Sequence, residues 1–227
     1  MWGSTLNVLE EISGLNLKQE LSATRILQWL VEQQKSLKQL NLQLGISGER
    51  AELMSKSISD ASRQTNVLGI GIKELTELQS GLASETGLVK LYTTQQLEAL
   101  SQIAASTKLG TTETAKMVGM YENLGISILG THEQVQSILD QSERMGTNTQ
   151  AVMESITKNF KAAQKFYFKK GVKSLGEMAI FAEKWKLSME STLQSMEKAR
   201  TLESVVDMVQ NLRVLGGEFS KIDPFKI

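Results

Sequence analysis

Apolar residues recur along this chain at alternating steps of three and four, the spacing that lays one side of an α-helix against a neighbour. From Asn16 to Leu44 the positions Ala23, Ile26, Leu30, Gln33, Leu37, Leu40 and Leu44 form such a seam. This is coiled-coil spacing, in which the polar Gln33 either fixes register or sits at a wet edge. Ala51, Met54, Ile58 and Ala61 make a narrower stripe with a polar back, predicting a helix from Ser47 to about Asn66 that packs against one neighbour. Ile72, Leu75, Leu78 and Leu82 predict a short helix closed by Gly87. Four further stripes follow, on Leu97, Leu100 and Ile103, on Met117, Val118 and Tyr121, on Val135, Ile138 and Leu139, and on Val152, Ile156, Phe160, Ala163 and Tyr167. The clearest heptad opens at Ser174 and runs through Leu175, Met178, Ala182, Trp185, Met189, Thr192, Met196 and Ala199. It resumes as Leu202, Val205, Val209 and Leu212 after one repeated step of three, which predicts one long helix with a local break or overwinding near Thr201. The first 15 residues predict a short helix on Leu6, Leu9 and Ile12, ended by Gly14.

Between these stripes stands a recurring punctuation of glycine and threonine: Leu109-Gly110-Thr111, Leu129-Gly130-Thr131 and Met145-Gly146-Thr147. Glycine just past a helix can take the left-handed conformation that closes the last carbonyls, and a threonine oxygen can accept the first amides of the next helix. Each pair therefore predicts a stop followed by a start. Thr93 with Gln96, Thr131 with Gln134, Thr147 with Gln150 and Ser174 with Glu177 add capping-box spacing. The fold class that follows is all-α, an array of short helices between longer amphipathic or coiled-coil helices, with no sheet. Three segments are expected: residues 1–45, an N-terminal helical or coiled-coil segment; residues 46–171, a multi-helix modular body; and residues 172–227, a long C-terminal helix with a Gly-Gly and Asp-Pro-Phe tail. The punctuation also predicts segmented stability, with opening at Gly110, Gly130 and Gly146 before the long helices yield.

Composition narrows the function classes. The chain has 227 residues, 41% of them hydrophobic, with one proline and no cysteine. Lys+Arg and Asp+Glu are both 25, so no global field steers the chain toward nucleic acid or an anionic surface, and no specific nucleic-acid site is read. Without cysteine, and with His132 the one histidine, no metal site of His and Cys is expected. No run of about 18 apolar residues predicts a membrane span. Met1-Trp2-Gly3-Ser4 does not begin a secretory signal pattern. Gly69 and Gly71 read as helix punctuation, because no strand precedes them and no Lys-Ser/Thr follows as in a phosphate loop. No nucleophile, histidine and acid are placed for catalysis, and Glu10 and Glu11 point different ways from a helix surface. No catalytic residue, cofactor or metal is assigned.

One stretch departs locally from charge balance. Lys158, Lys161, Lys165, Lys169, Lys170 and Lys173 follow one another without an intervening acid, interleaved with Phe160, Phe166, Tyr167 and Phe168. Such a helix could contact an anionic membrane or phosphates. Phe160 and Tyr167 share the aliphatic stripe, however, which favours core packing, with the lysines complementing the helix C-terminus before Gly171. Met178, Trp185, Met189 and Met196 are the candidate helix-packing seam, where methionine makes the surface adaptable.

The end of the chain carries a resemblance. Leu215-Gly216-Gly217-Glu218-Phe219-Ser220-Lys221-Ile222-Asp223-Pro224-Phe225, coming after a methionine-rich helix, resembles a segment of bacteriophage tail tape measure proteins. The glycine-punctuated helices from Leu44 to about Gly171 are similar to the structured core of that family. The resemblance implies a piece of a longer chain with a structural, non-enzymatic role. It would fill the lumen of the tail tube, set tube length during tail assembly and leave before the DNA at ejection. It implies tail tube, tail-tip and assembly chaperone partners besides self-association through helices. It places the chain in the virion tail lumen, and in the host bacterial cytoplasm during assembly. Two other readings stand beside it: an ejected virion protein acting at a membrane through Lys158 to Lys173, and a helical scaffold oligomerising through the seams at 23–44 and 175–212.

Overall fold

The computed structural model describes residues 17–165, 172–198 and 209–210, with the backbone alone for residues 17–26, Trp29 and Lys198. The expected helix before Leu17, the stretch from Phe166 to Gly171, the seam from Ala199 to Val205 with Leu212, and Leu215 to Phe225 lie outside the described residues. Within them the protein is all-α, as its periodicity predicts, with no strand. The helices are α1 (Leu17–Gln43), α2 (Gly48–Thr65, followed by a 3-10 turn at Asn66–Leu68), α3 (Ile72–Thr86), α4 (Thr94–Thr107) and α5 (Thr111–Asn123), then α6 (Ile128–Met145), α7 (Thr149–Ala163), α8 (Val172–Lys184) and α9 (Met189–Lys198).

Five of the turns between them use one bonding pattern. At Gly45, Gly69, Gly125, Gly146 and Lys186 the backbone is left-handed. The amide of that residue bonds the carbonyl three back, and the next amide bonds the carbonyl five back. These bonds are Ile46 to Asn41 at 3.0 Å, Ile70 to Thr65 at 3.3 Å, Ile126 to Tyr121 at 3.0 Å, Thr147 to Ser142 at 3.0 Å and Leu187 to Ala182 at 2.8 Å. The paired bonds satisfy carbonyls that a helix end leaves bare. Two residues past each left-handed position stands the residue that precedes the next helix: Ser47, Gly71, Ser127, Asn148 and Ser188.

This pattern corrects several sequence expectations. Gly130 and Thr131 do not stop and start a helix; they lie in the first turn of α6, because Gly125 has already ended α5. Gly110 is not left-handed, with φ −64; Lys108 holds that conformation and Gly110 precedes α5. Asn148, not Thr147, caps α7, accepting the Ala151 amide at 3.1 Å. Ser174 lies inside α8 and caps nothing. The long C-terminal helix is interrupted at residues 185–188. Lys186 closes α8 in the left-handed region, and Ser188 opens α9 by accepting the Ser191 amide on its hydroxyl at 3.2 Å. Caps on both sides make the break cheaper than the absence of glycine suggests. The expected box at Thr93 and Gln96 is present, with Thr93 N bonded to Gln96 Oε1 at 2.9 Å and Gln96 N to Thr93 Oγ1 at 3.3 Å.

The chain forms two compact units. The first comprises the described residues to Ser106 with Gly110–Leu129; the second comprises Thr107–Leu109 and the described residues from Gly130. In the first unit α3 is central, packed by α1, α2 and α5. Its predicted stripe of Ile72, Leu75, Leu78 and Leu82 is buried, as are Met54, Ile58 and Ala61 of α2. Full burial of such a side chain contributes about 1.5–3 kcal/mol, enough over a few residues to decide how short helices pack. In the second unit α7 packs against α8 and α9. Val152, Ile156 and Phe160 meet an interior that includes Ala179, Ile180, Met189 and Leu193. Gly176 lets α8 approach α6 so closely that a Cβ there would lie 2.7 Å from Ile138 Cγ1.

Candidate functional site

The basic stretch does not present a free row of cations. Lys158 pairs with Glu190 at 3.6 Å and Lys165 with Glu197 at 2.8 Å. The lysines and the glutamates are each seven residues apart, so the pairs are successive rungs that join α7 and the turn just after it to α9, with the two segments running in parallel. Phe160 is buried in the same unit. Lys161 and Lys173 are exposed, while Lys169 and Lys170 lie outside the described residues. Of the candidate contact lysines, two are thus spent between helices and two face solvent.

The candidate seam is likewise divided. Met189 is buried at the start of α9, and its sulfur accepts from Ser155 Oγ of α7 at 3.2 Å. Met178 and Met196 are half-buried. Trp185, at the broken end of α8, is exposed. The interior side of α8 is instead Leu175, Gly176, Ala179 and Ile180. Trp185 forms an open aromatic pair with Phe181, their ring centroids 6.1 Å apart and tilted by 48°, and Leu187, two residues further on, is exposed as well. Phe181 and Leu187 were not part of the expected seam. The signal for Phe181 was its place one turn before Trp185, on the side of α8 away from Ala179; the heptad drawn through Met178, Ala182 and Trp185 includes the tryptophan and passes over the phenylalanine.

A polar cluster that periodicity does not reveal lies in the first unit. Tyr92 donates its hydroxyl to Glu122 Oε2 at 2.7 Å, and Lys90 Nζ reaches Glu122 Oε1 at 3.3 Å. The Glu122 side chain keeps 8% of its surface exposed. Burial first, then the hydrogen bond to Glu122 and its charge, push the Tyr92 phenol far above its ordinary value. Burial alone does the same to Tyr121. Gln79 Nε2 of α3 donates to the Lys90 carbonyl at 2.9 Å, and Arg50 of α2 donates to the Val89 carbonyl. Phenol, ammonium and carboxylate are satisfied by one another, so the cluster holds the 87–93 connection to three helices and braces the fold.

Two grooves flank α1 and α3 in the first unit. One, of about 550 Å³, is lined by polar side chains such as Ser36, Gln39, Gln43, Thr76, Ser80 and Thr112. The other, of about 320 Å³, lies beside Arg63, Asn66 and Lys73. Among the described residues no group of His, Cys, Asp or Glu is placed to hold a metal ion, and no helix is long and apolar enough to cross a membrane. His132 is half-buried in the first turns of α6. The chain matches no protein-family model, no curated protein and no solved structure. The described residues define a modular helical protein in which polar groups such as Gln79, Glu122, Lys158 and Lys165 brace turns and helix pairs.

Proposed function

We propose that this protein is a structural assembly element that acts through helix surfaces rather than through catalysis, and that its assembly is a phage tail in which it serves as tape measure. One observation carries the structural reading. Large apolar side chains are left open on helical faces, Leu27, Leu30 and Val31 on α1 and Phe181 and Trp185 on α8, while buried polar groups such as Glu122 are consumed by internal braces. Open apolar groups of this kind mark sites of protein contact. The narrower reading is supported by the resemblance at Leu215 to Phe225 and by a body made of many short helices joined by like turns. Conversion of residue number into length at about 1.5 Å per residue requires the helices to be drawn out in line. The folded-back helices described here would therefore open at their turns on entering a tube, before the helices themselves melt.

In-frame deletion of residues 48–125 from the gene, in the phage whose particles contain the chain, tests the tape-measure reading. The expected result is tails shortened by up to about 120 Å, the helical length of the missing stretch. Tails of unchanged length in intact particles would overturn it.

A further inference from the structure

Two stretches of the chain, from α2 to α5 and from α6 to α9, repeat one plan. A helix of 18 residues (α2, α6) leads through a left-handed glycine (Gly69, Gly146) to a helix of 15 residues (α3, α7). A connection then leads to a helix of 14 or 13 residues (α4, α8), a left-handed lysine (Lys108, Lys186), and a last helix (α5, α9). The glycines stand 77 positions apart (146 − 69) and the lysines 78 (186 − 108). Those lysines are the described non-glycine residues with positive φ. Both are followed by leucine and then by the residue that opens the last helix, Gly110 or Ser188.

Burial follows the same register. Ile58 and Val135, Leu75 and Val152 stand 77 apart, Leu97 and Leu175, Ala115 and Leu193 stand 78 apart, and all eight are buried. A cap detail repeats too. The Thr65 hydroxyl donates to the Ile70 carbonyl at 2.8 Å, and Ser142, 77 residues on, donates to the Thr147 carbonyl at 3.5 Å. Equal helix lengths could arise separately, but left-handed lysines at matching positions, with matching burial on four helices, point to two copies of one four-helix module.

The copies differ at one surface. Phe181, Trp185 and Leu187 are 56%, 59% and 57% exposed, whereas the residues 78 positions earlier, Ile103, Thr107 and Leu109, are 0%, 1% and 7% exposed. The same three places on the module are covered in the first copy and open in the second, where two of them have become larger and aromatic (Ile103 to Phe181, Thr107 to Trp185) and the third remains leucine. We propose that the Phe181–Trp185–Leu187 surface is a docking face for a further copy of this module, supplied by a second molecule of the chain. Tryptophan and phenylalanine are side chains on which protein contacts concentrate their energy. A formal net charge of +0 gives two copies no long-range repulsion. The open apolar area, roughly 300–400 Å², is small against the roughly 800 Å² per partner of a stable interface, so the association is weak and reversible. The inference deepens the structural reading above by naming its surface, and it does not depend on the assembly being a phage tail.

Sedimentation of the full chain from about 1 μM into the hundreds of micromolar tests it, over the range where so small an interface should act. The expected result is a mass that rises with concentration in the wild type. Phe181→Ser with Trp185→Ser should remain a monomer over the same range with unchanged helical circular dichroism. Val67→Ser, at an exposed apolar position in the 3-10 turn at Asn66–Leu68, should associate as the wild type does. A wild type that stays monomeric throughout, or a Phe181/Trp185 variant that associates as strongly as the wild type, would overturn the proposal. Should that variant lose helix, Leu187→Lys, which lies between α8 and α9, repeats the test with the same two outcomes. Tail length is not read here, so this proposal and the tape-measure reading fail separately.

Discussion

Gly81 of α3 faces Ala115 of α5 so closely that a Cβ on the glycine would lie 2.6 Å from the alanine Cβ. One turn along α5, Gly119 stands in the same relation to Glu85, whose Cβ is 2.7 Å from the position a Gly119 Cβ would take. Glycine inside a helix ordinarily costs about 1 kcal/mol against alanine, so Gly→Ala in an open helix stabilises. Here the contact is with a Cβ that cannot rotate away. Gly81→Ala should therefore destabilise by about 1–3 kcal/mol, the range for overpacking. Ala115→Gly added to it should restore part of the loss, a coupling of at least about 0.5 kcal/mol between touching residues. Urea unfolding of the two single variants and the double variant measures this, and a more stable Gly81→Ala protein would contradict the close helix pair.

Lys108 and Lys186 have φ of 56 and 53. A side chain in the left-handed region costs about 1–2 kcal/mol, while glycine there loses about 0.4–1 kcal/mol through a freer unfolded chain. Lys108→Gly and Lys186→Gly should each raise stability by about 0.5–1 kcal/mol, whereas Lys→Ala at either site leaves the strain in place. Denaturant midpoints of the four variants check this, with a gain expected at each site because both lysines hold a positive φ.

These lysines also mark the limit of what the sequence discloses. The stripe Ile72, Leu75, Leu78, Leu82, the stop at Gly87 and the Thr93–Gln96 box were legible because burial period, glycine and cap coincide there. At Lys186 no glycine announces the turn, and the heptad from Leu175 to Met196 keeps its spacing through the break. Periodicity reports which residues face inward; it does not distinguish one helix from two that both face inward. At Gly130-Thr131 a motif of the right type was idle, since Gly125 had closed the preceding helix a turn earlier. The candidate lysines were legible as a basic run, but Glu190 and Glu197 lie 32 residues away in sequence (190 − 158, 197 − 165), and pairing across that distance is set by the fold. The module repeat was hidden for a similar reason: Ala115 and Leu193, or Ser101 and Ala179, share burial without sharing identity.

The raised phenols of Tyr92 and Tyr121 give an alkaline signature. In the unfolded chain a tyrosine ionises near pH 10, while in the folded protein these two hold their protons to higher pH. Their contribution to stability is complete below about pH 10 and is lost as the pH climbs from there toward their folded values, because only the unfolded state releases protons in that window. Unfolding free energy from pH 8 to 11 should therefore bend downward above about pH 10. Tyr92→Phe should lower stability at pH 8 by removing the bond to Glu122, and should show a shallower alkaline decline. An unchanged slope in Tyr92→Phe would mean that its phenol ionises alike in both states.

The rungs Lys158–Glu190 and Lys165–Glu197 join side chains that are each more than half exposed. Pairs of this kind contribute about 0.2–1 kcal/mol each and weaken as salt shortens the screening length to about 3 Å at 1 M. Glu190→Lys should destabilise by up to about 1 kcal/mol at low salt, and Lys158→Glu in the same chain should recover most of it, with both effects shrinking in 1 M salt. The rungs also hold two positive charges away from the run that begins at Lys158. Replacing Glu190 and Glu197 by glutamine removes the carboxylates that pair with Lys158 and Lys165, and leaves the stretch with Lys161 and Lys173 two negative charges poorer. If that stretch docks on membranes, the glutamine variant should bind anionic vesicles more tightly than the wild type, by as much as about 1 kcal/mol per lysine that loses its carboxylate. If its lysines serve only to join α7 to α9, vesicle binding will be equal in the two proteins, and the loss will appear in stability alone.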